Sequence, residues 1–180
     1  MLGLAAAGLL NNAIGAQSAA SRSIVVYFSR TGCTKRIAEL ISRLADAELV
    51  EIVLVDPYPE SYSETTTIVK DQMQKGVLPD IKPLNVDFAQ FDTIYLGSPT
   101  WWGHIARPVE KFLADEKFSG KTIKLFTSHG GSGRAGTQED VERLCPQCRV
   151  SESLAFYGSS GLNPDRIAEW IGTTQQDQHL

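Results

Sequence analysis

The sequence predicts a doubly wound α/β sheet folded as one domain. Three observations carry that expectation. Short apolar, β-branched runs alternate along the chain with segments whose apolar residues recur at helical spacing. The connections between them are short, as strand–helix–strand units require. The runs at 24–28 and 122–127 contain few polar residues, which suits parallel strands covered on both faces.

The elements follow in order. Ile24-Val25-Val26-Tyr27-Phe28 reads as the opening strand and stops at a hydroxyl-rich turn, Ser29 to Thr34. From Lys35 a helical pattern puts Ile37, Ala38, Ile41 and Leu44 on one face, predicting a helix over 35–45. Further strands are expected over 49–55, 93–97, 122–127 and 150–156. Further helices are expected around 62–75 and over 108–115, 136–144 and 164–171. Pro108 is well placed to start its helix, because the N–H it lacks has no partner there. Segment 56–92 is the least regular, interrupted by Pro57, Pro59, Pro79 and Pro83.

At 180 residues the chain can bury a substantial core without metals or staples. Its net charge of −4 argues against a nucleic-acid partner, which would want a basic face. No apolar run reaches the roughly 20 residues needed to span a bilayer. Residues 1–22 differ from the domain at 23–180: Met1 to Ala20 lacks charged side chains, and Leu2–Leu10 is shaped like the apolar region of a signal peptide. Small residues at Gly15-Ala16 and Ser18-Ala19-Ala20 offer a cleavage point, although the basic leader is missing. Export to the periplasm is the first reading; a disordered or helical extension on a cytoplasmic protein is the second.

Cysteines stand at 33, 145 and 148. Cys145-Pro146-Gln147-Cys148 has the C-x-x-C spacing of a redox pair, but it follows a helix rather than opening one. The helix dipole there has the wrong sign to activate a thiol. A structural disulfide or two idle thiols fits better, and two ligands make a poor zinc site.

The turn Ser29-Arg30-Thr31-Gly32-Cys33-Thr34 carries the clearest chemistry. A strand, tight turn and helix in that order aim free backbone N–H groups at one point, which suits a phosphate dianion. Ser29, Thr31 and Thr34 add hydroxyl donors, and Gly32 permits close approach. In doubly wound sheets ligands sit beyond the carboxyl ends of strands. Two more turns lie there: Ser98-Pro99-Thr100-Trp101-Trp102-Gly103-His104 and Ser128-His129-Gly130-Gly131-Ser132-Gly133. Adjacent tryptophans in a loop suggest a flat surface for an aromatic ligand, core packing being the alternative. Gly131, Gly133 and Gly136 spell G-x-G-x-x-G with Glu152 about 20 residues on, but that acid falls near the start of its strand, so a dinucleotide site is disfavoured. A triphosphate P-loop is missing, and Glu39 stands where a low-molecular-weight phosphatase loop needs Arg.

The three turns together resemble those of the flavodoxin family in its short-chain form. Ser29–Thr34 is similar to the T/S-x-T-G-x-T phosphate loop, Leu96–Gly103 to the first ring loop in a paired-tryptophan variant, and Thr127–Gly133 to the second. The resemblance covers about residues 23–172. It implies a five-stranded parallel sheet in the order 2-1-3-4-5 and non-covalent FMN. Ser29, Thr31, Gly32, Cys33 and Thr34 would hold the phosphate, with Arg30 pointing to solvent, steadying the loop or touching the phosphate. Pro99, Thr100, Trp101, Trp102 and Gly103 would line the ring, with Trp101 the main stacker and the Trp102–Gly103 peptide at the flavin N5 edge. His129, Gly130, Gly131 and Ser132 would face the pyrimidine edge. Core packing for Trp102, turn geometry for Gly103 and a solvated His129 are the plainer alternatives.

Departures from the family pattern accompany the resemblance. Many members ring the flavin with acids and carry Tyr in the loop after strand 4. Here His104 and Arg107 follow the tryptophans, and His129 replaces the aromatic residue. A less negative surround would raise the potential, and the bulk of Trp102 bears on the peptide flip. The resemblance implies an electron carrier with no catalytic side chain and no metal, exchanging electrons with a partner protein or small acceptor. The alternatives are an FMN-dependent NAD(P)H or quinone oxidoreductase and a non-catalytic flavin-binding module.

Overall fold

The computed structural model describes residues 22–172. The signal-like segment expected at 1–22 lies almost wholly outside them. Strand β1 (Ser23–Tyr27) leads to α1 (Cys33–Ala45), followed by β2 (Glu48–Glu51) and α2 (Tyr62–Lys75). After a short 3₁₀ turn, β3 (Thr93–Trp101), β4 (His104–Ile105), α3 (Arg107–Glu116), β5 (Thr122–His129), α4 (Thr137–Leu144), β6 (Arg149–Tyr157) and α5 (Pro164–Gly172) complete the domain. The long strands run β2-β1-β3-β5-β6, all parallel. Counted among themselves, that is the order 2-1-3-4-5.

Alternate side chains of each central strand enter separate cores. Ile24, Val26, Ile94, Leu96, Ile123 and Leu125 pack with Val109, Phe112 and Leu113 of α3 and Val141 of α4. Val25, Tyr27, Tyr95 and Phe126 pack on the other face with Ile37, Ala38 and Ile41 of α1 and Ile167 and Trp170 of α5. Burial on both faces explains why these strands read as continuous apolar runs. Helix α2 is bounded by local chemistry: the Ser61 hydroxyl accepts the Glu64 N–H at 3.4 Å, and Gly76 closes the far end at φ 66°. Pro108 is the second residue of α3, which starts at Arg107.

Two elements depart from expectation. β2 ends at Glu51 instead of continuing to 55, because Val53, Leu54 and Val55 peel away to bond segment 80–82. Lys82 N–H donates to Val53 O at 2.8 Å and Val55 N–H to Asp80 O at 3.0 Å. An antiparallel bridge of that kind satisfies the same β-branched pattern as a parallel strand, so local pattern does not separate them. The loop expected after β3 instead folds into a hairpin, β4 pairing antiparallel to the end of β3.

Candidate functional site

The phosphate-type turn forms as the residue pattern requires. Gly32 stands at the N-cap of α1 with φ 84°, a left-handed conformation that glycine adopts freely. No side chain caps α1, and its first turn holds no acidic residue. Its leading N–H groups and positive dipole end therefore face outward without a competing carboxylate. Nothing lies within 4 Å of the position a Gly32 Cβ would take, so the approach is open. Ser29 Oγ accepts the Gly32 N–H at 3.1 Å and shapes the turn. Thr34 is buried, and its Oγ1 lies 2.8 Å from Ser128 Oγ at the end of β5. One of these hydroxyls donates to the other, which leaves one hydrogen for an outside acceptor. Cys33 is half-buried and Thr31 exposed.

Arg30 turns away from this point. Its guanidinium donates to Pro59 O at 3.2 Å and Glu60 O at 2.5 Å, tying the turn to the segment before α2. Of the roles open to it, steadying the loop is the one that this geometry serves.

The two ring-type loops are tied to each other. Trp101 pairs with His104 across a two-residue turn in which Trp102 (φ 53°) and Gly103 (φ 83°) are both left-handed. Such a turn is of type I′, whose twist matches a tight hairpin. Thr100 Oγ1 donates to Gly133 O at 3.2 Å, and Gly136 N–H donates to Gly103 O at 2.9 Å. A Cβ on Gly136 would stand 3.3 Å from that carbonyl, so glycine there permits the close approach. His129 Nδ1 accepts the Gly131 N–H at 3.1 Å, which leaves Nε2 as the protonated nitrogen of the neutral ring. The His129 ring also stands edge-on to Tyr157.

Between these loops and α2 lies a cleft of about 380 Å³, lined by Arg30, Thr100, Trp101, Trp102, Gly130, Gly131 and Ser132. Trp101 is held edge-to-face by Phe28 at 5.7 Å and Tyr58 at 5.5 Å, so its indole is fixed in orientation where it borders the cleft. Trp102 is 55% exposed. Pro99, Gly103 and His129 support these walls without lining the cleft, and Ser29, Gly32, Cys33 and Thr34 form the adjoining turn.

The far wall was not legible in the sequence. Tyr62, Thr65, Thr66 and Val69 of α2 line the same cleft. Only Thr65 and Val69 of this helix are buried, so α2 lies over the cleft more than over the sheet. The signal that points to it is the threonine run 65–67 beside an isolated Tyr, a helix with too few apolar residues for a core face.

The two basic residues that follow the tryptophans are already paired. His104 Nδ1 lies 3.0 Å from Asp140 Oδ2, and Asp140 also accepts from Ile105 N–H and Arg143, both at 3.2 Å. Arg107 is buried, forms an ion pair with Glu110 and donates to Val77 O at 2.7 Å. The less negative surround anticipated from His104 and Arg107 is therefore offset by carboxylates, Glu110 one helical turn from Arg107 and Asp140 far from His104 in sequence. Among the described residues no cluster of His, Cys, Asp and Glu could hold a metal ion, and no helix is long and apolar enough to cross a membrane.

The site thus joins a parallel sheet in this strand order, a helix N-terminus open at its carboxyl edge and two glycine- and aromatic-bearing loops beside it. Residues 22–174 match the family model described as flavodoxin. The chain belongs to the flavodoxin family. No curated protein matches it. Among solved structures, a protein described as a flavoprotein from Bacteroides eggerthii is similar at 24% identity, with a TM-score of 0.76 over 84% of this chain and 96% of that one. A flavoprotein from Lactobacillus acidophilus, solved in complex with FMN, is 25% identical with a TM-score of 0.69 over 84% of this chain and 99% of that one. A flavodoxin from the Archaea is 17% identical with a TM-score of 0.51, which speaks to the fold alone.

Proposed function

We propose that this flavodoxin-family protein binds FMN without a covalent bond and carries electrons between a partner protein or small acceptor and its donor. The observation that supports the reading is the junction of two features at one sheet edge. An uncapped helix N-terminus with a spare hydroxyl hydrogen adjoins a cleft walled by two indoles. The first suits a phosphate dianion and the second a planar heterocycle, and FMN is both. The FMN complex of the Lactobacillus acidophilus relative agrees with it.

In this reading the α1 N–H groups, Thr34 and Ser128 hold the phosphate, and Ser29 and Gly32 shape the turn. Trp101 offers a fixed stacking surface, and Trp102 covers the ring from the hairpin tip. The Trp102 carbonyl serves the N5 edge, since the Gly103 carbonyl is occupied by Gly136. Gly130, Gly131 and Ser132 face the pyrimidine edge, with backbone donors from Gly130 and Ser132, since the Gly131 N–H is taken by His129. The bound isoalloxazine supplies the redox chemistry, and the protein sets its position and potential.

Calorimetry with FMN and riboflavin tests this. FMN binds, riboflavin binds at least about tenfold more weakly for want of phosphate contacts, and Thr34→Val reduces only the FMN affinity. Absence of heat with FMN overturns the reading. A potentiometric titration of the loaded protein then separates roles. Two resolved one-electron steps support a carrier; one two-electron step with steady NADPH oxidation by a quinone supports a reductase.

A further inference from the structure

The C-x-x-C pair lies outside the cleft chemistry, at the amino end of the sheet, where α4 hands over to β6. Its local geometry is a closed turn. Cys148 N–H donates to Cys145 O at 2.9 Å, with Pro146 and Gln147 between them. Residues joined this way lie within about 7 Å at Cα, which overlaps the roughly 4.4–6.8 Å span of a disulfide. Proline at the second turn position presets its φ, so the turn costs little further ordering. Gln147 O accepts the Gly120 N–H at 2.9 Å and anchors the turn from outside.

We propose that Cys145 and Cys148 close into an intrachain disulfide that locks the turn between α4 and β6. The inference is independent of whether FMN occupies the cleft. In the reduced form described by the structure all three cysteines are free thiols. The two members of the pair differ in access: Cys145 is 1% exposed in the core, whereas Cys148 is half-buried at its edge. The sequence of bonds follows from that difference. Cys148 attacks a sulfur of a low-molecular-weight disulfide such as oxidised glutathione, forming a mixed disulfide and releasing one glutathione thiol. Cys145 then attacks Cys148 Sγ, and its proton passes to the departing second glutathione sulfur. Two protein thiols are oxidised to one disulfide while one glutathione disulfide is reduced to two thiols.

Burial pushes the Cys145 thiol up to about 12, with Cys148 adding to the shift. A thiol of that kind attacks slowly and is also a poor leaving group. The bond therefore forms slowly and resists reduction, as a structural bond does and a turnover dithiol does not. Its position at the C-terminal end of α4 gives no dipole assistance to a thiolate.

The test uses the full chain incubated with oxidised glutathione, then alkylated and digested with trypsin without reductant. Trypsin releases residues 144–149 as one peptide holding both cysteines, while Cys33 leaves on a separate peptide, 31–35. The expected product is the 144–149 peptide lighter by two hydrogens, unalkylated, and fully alkylated only after dithiothreitol. Cys145→Ser should trap a glutathione adduct on Cys148, and Cys148→Ser should leave Cys145 unmodified. Should Cys145→Ser fail to fold, the wild-type and Cys148→Ser digests still decide. A 144–149 peptide that stays doubly alkylatable, or wild-type protein that halts at the Cys148 adduct, overturns the proposal. The thermal midpoint should rise on oxidation and return with reductant. A midpoint that falls on oxidation overturns the fit of the bond to this turn.

Discussion

Trp102 holds the most telling backbone conformation in the molecule. A left-handed L-residue brings its Cβ against the following carbonyl oxygen, at about 1–2 kcal/mol. Asn or Gly would fill this type I′ position without strain, yet a 55% exposed tryptophan stands there at the border of the cleft. Strain kept at a cleft marks a residue held for what it touches. Trp102→Gly should therefore leave the cofactor-free protein as stable as the parent within roughly 1 kcal/mol in urea. The same change should weaken FMN binding about tenfold or more, read by flavin fluorescence. Loss of stability with unchanged FMN affinity would assign Trp102 to packing. The neighbouring Trp101 shows the opposite balance, since Phe28 and Tyr58 fix it from within.

At the scale of elements, β3 is the member on which the site depends. It lies between β1 and β5, and its carboxyl end extends into the hairpin that presents both indoles. Gly97 makes that central place possible. A Cβ there would fall 2.4 Å from Phe126 Cζ and 2.7 Å from Tyr27 Cβ, inside van der Waals contact on both sides. Gly97→Ala should destabilise the fold by about 3 kcal/mol, measured by denaturant midpoint, and loosen the cleft with it. The helix on the opposite face is secured in an unusual way. Lys124 is buried in β5 and donates to Trp170 O at 2.6 Å and Ile171 O at 3.1 Å, where the negative end of α5 receives its charge. A polar residue in a strand that otherwise reads as apolar looks like an irregularity until the end of α5 is seen above it.

At the scale of the whole molecule, stability at alkaline pH follows from buried phenols. Tyr58 donates to Gln72 Oε1 at 2.7 Å between Phe28 and Trp101, and burial pushes its pKa up to about 12. The unfolded phenol ionises near pH ~10. The folded form thus holds its proton more tightly, and this contribution is complete below about pH 10 and lost as pH rises toward 12. Burial shifts Tyr27 and Tyr95 in the same direction. Burial lowers Lys124, whose contribution instead improves with rising pH below its unfolded value of about 10.4. With the buried Cys145 thiol shifted the same way as the phenols, unfolding free energy should fall from about pH 9 upward and more steeply above about pH 10, and Tyr58→Phe should flatten the steeper part. An unchanged slope in the variant would remove Tyr58 from the account.

What could be read without coordinates was whatever depends on near neighbours along the chain. Periodicity located the five long strands and the five α-helices among the described residues, and the hydroxyl-rich turn before Lys35 marked the helix end suited to phosphate. Other features depend on groups far apart in sequence. His104 meets Asp140, Arg107 meets Val77 O, and Arg30 reaches the carbonyls of Pro59 and Glu60. Each pairing removes a charge or donor that looked available when read alone. The α2 wall of the cleft, the left-handed Trp102 and the release of segment 52–55 from β2 share that origin. Near-neighbour patterns determine which elements form, because their energies act over a few residues; long-range contacts determine which side chains remain free, because burial and charge compensation are settled only when distant segments meet.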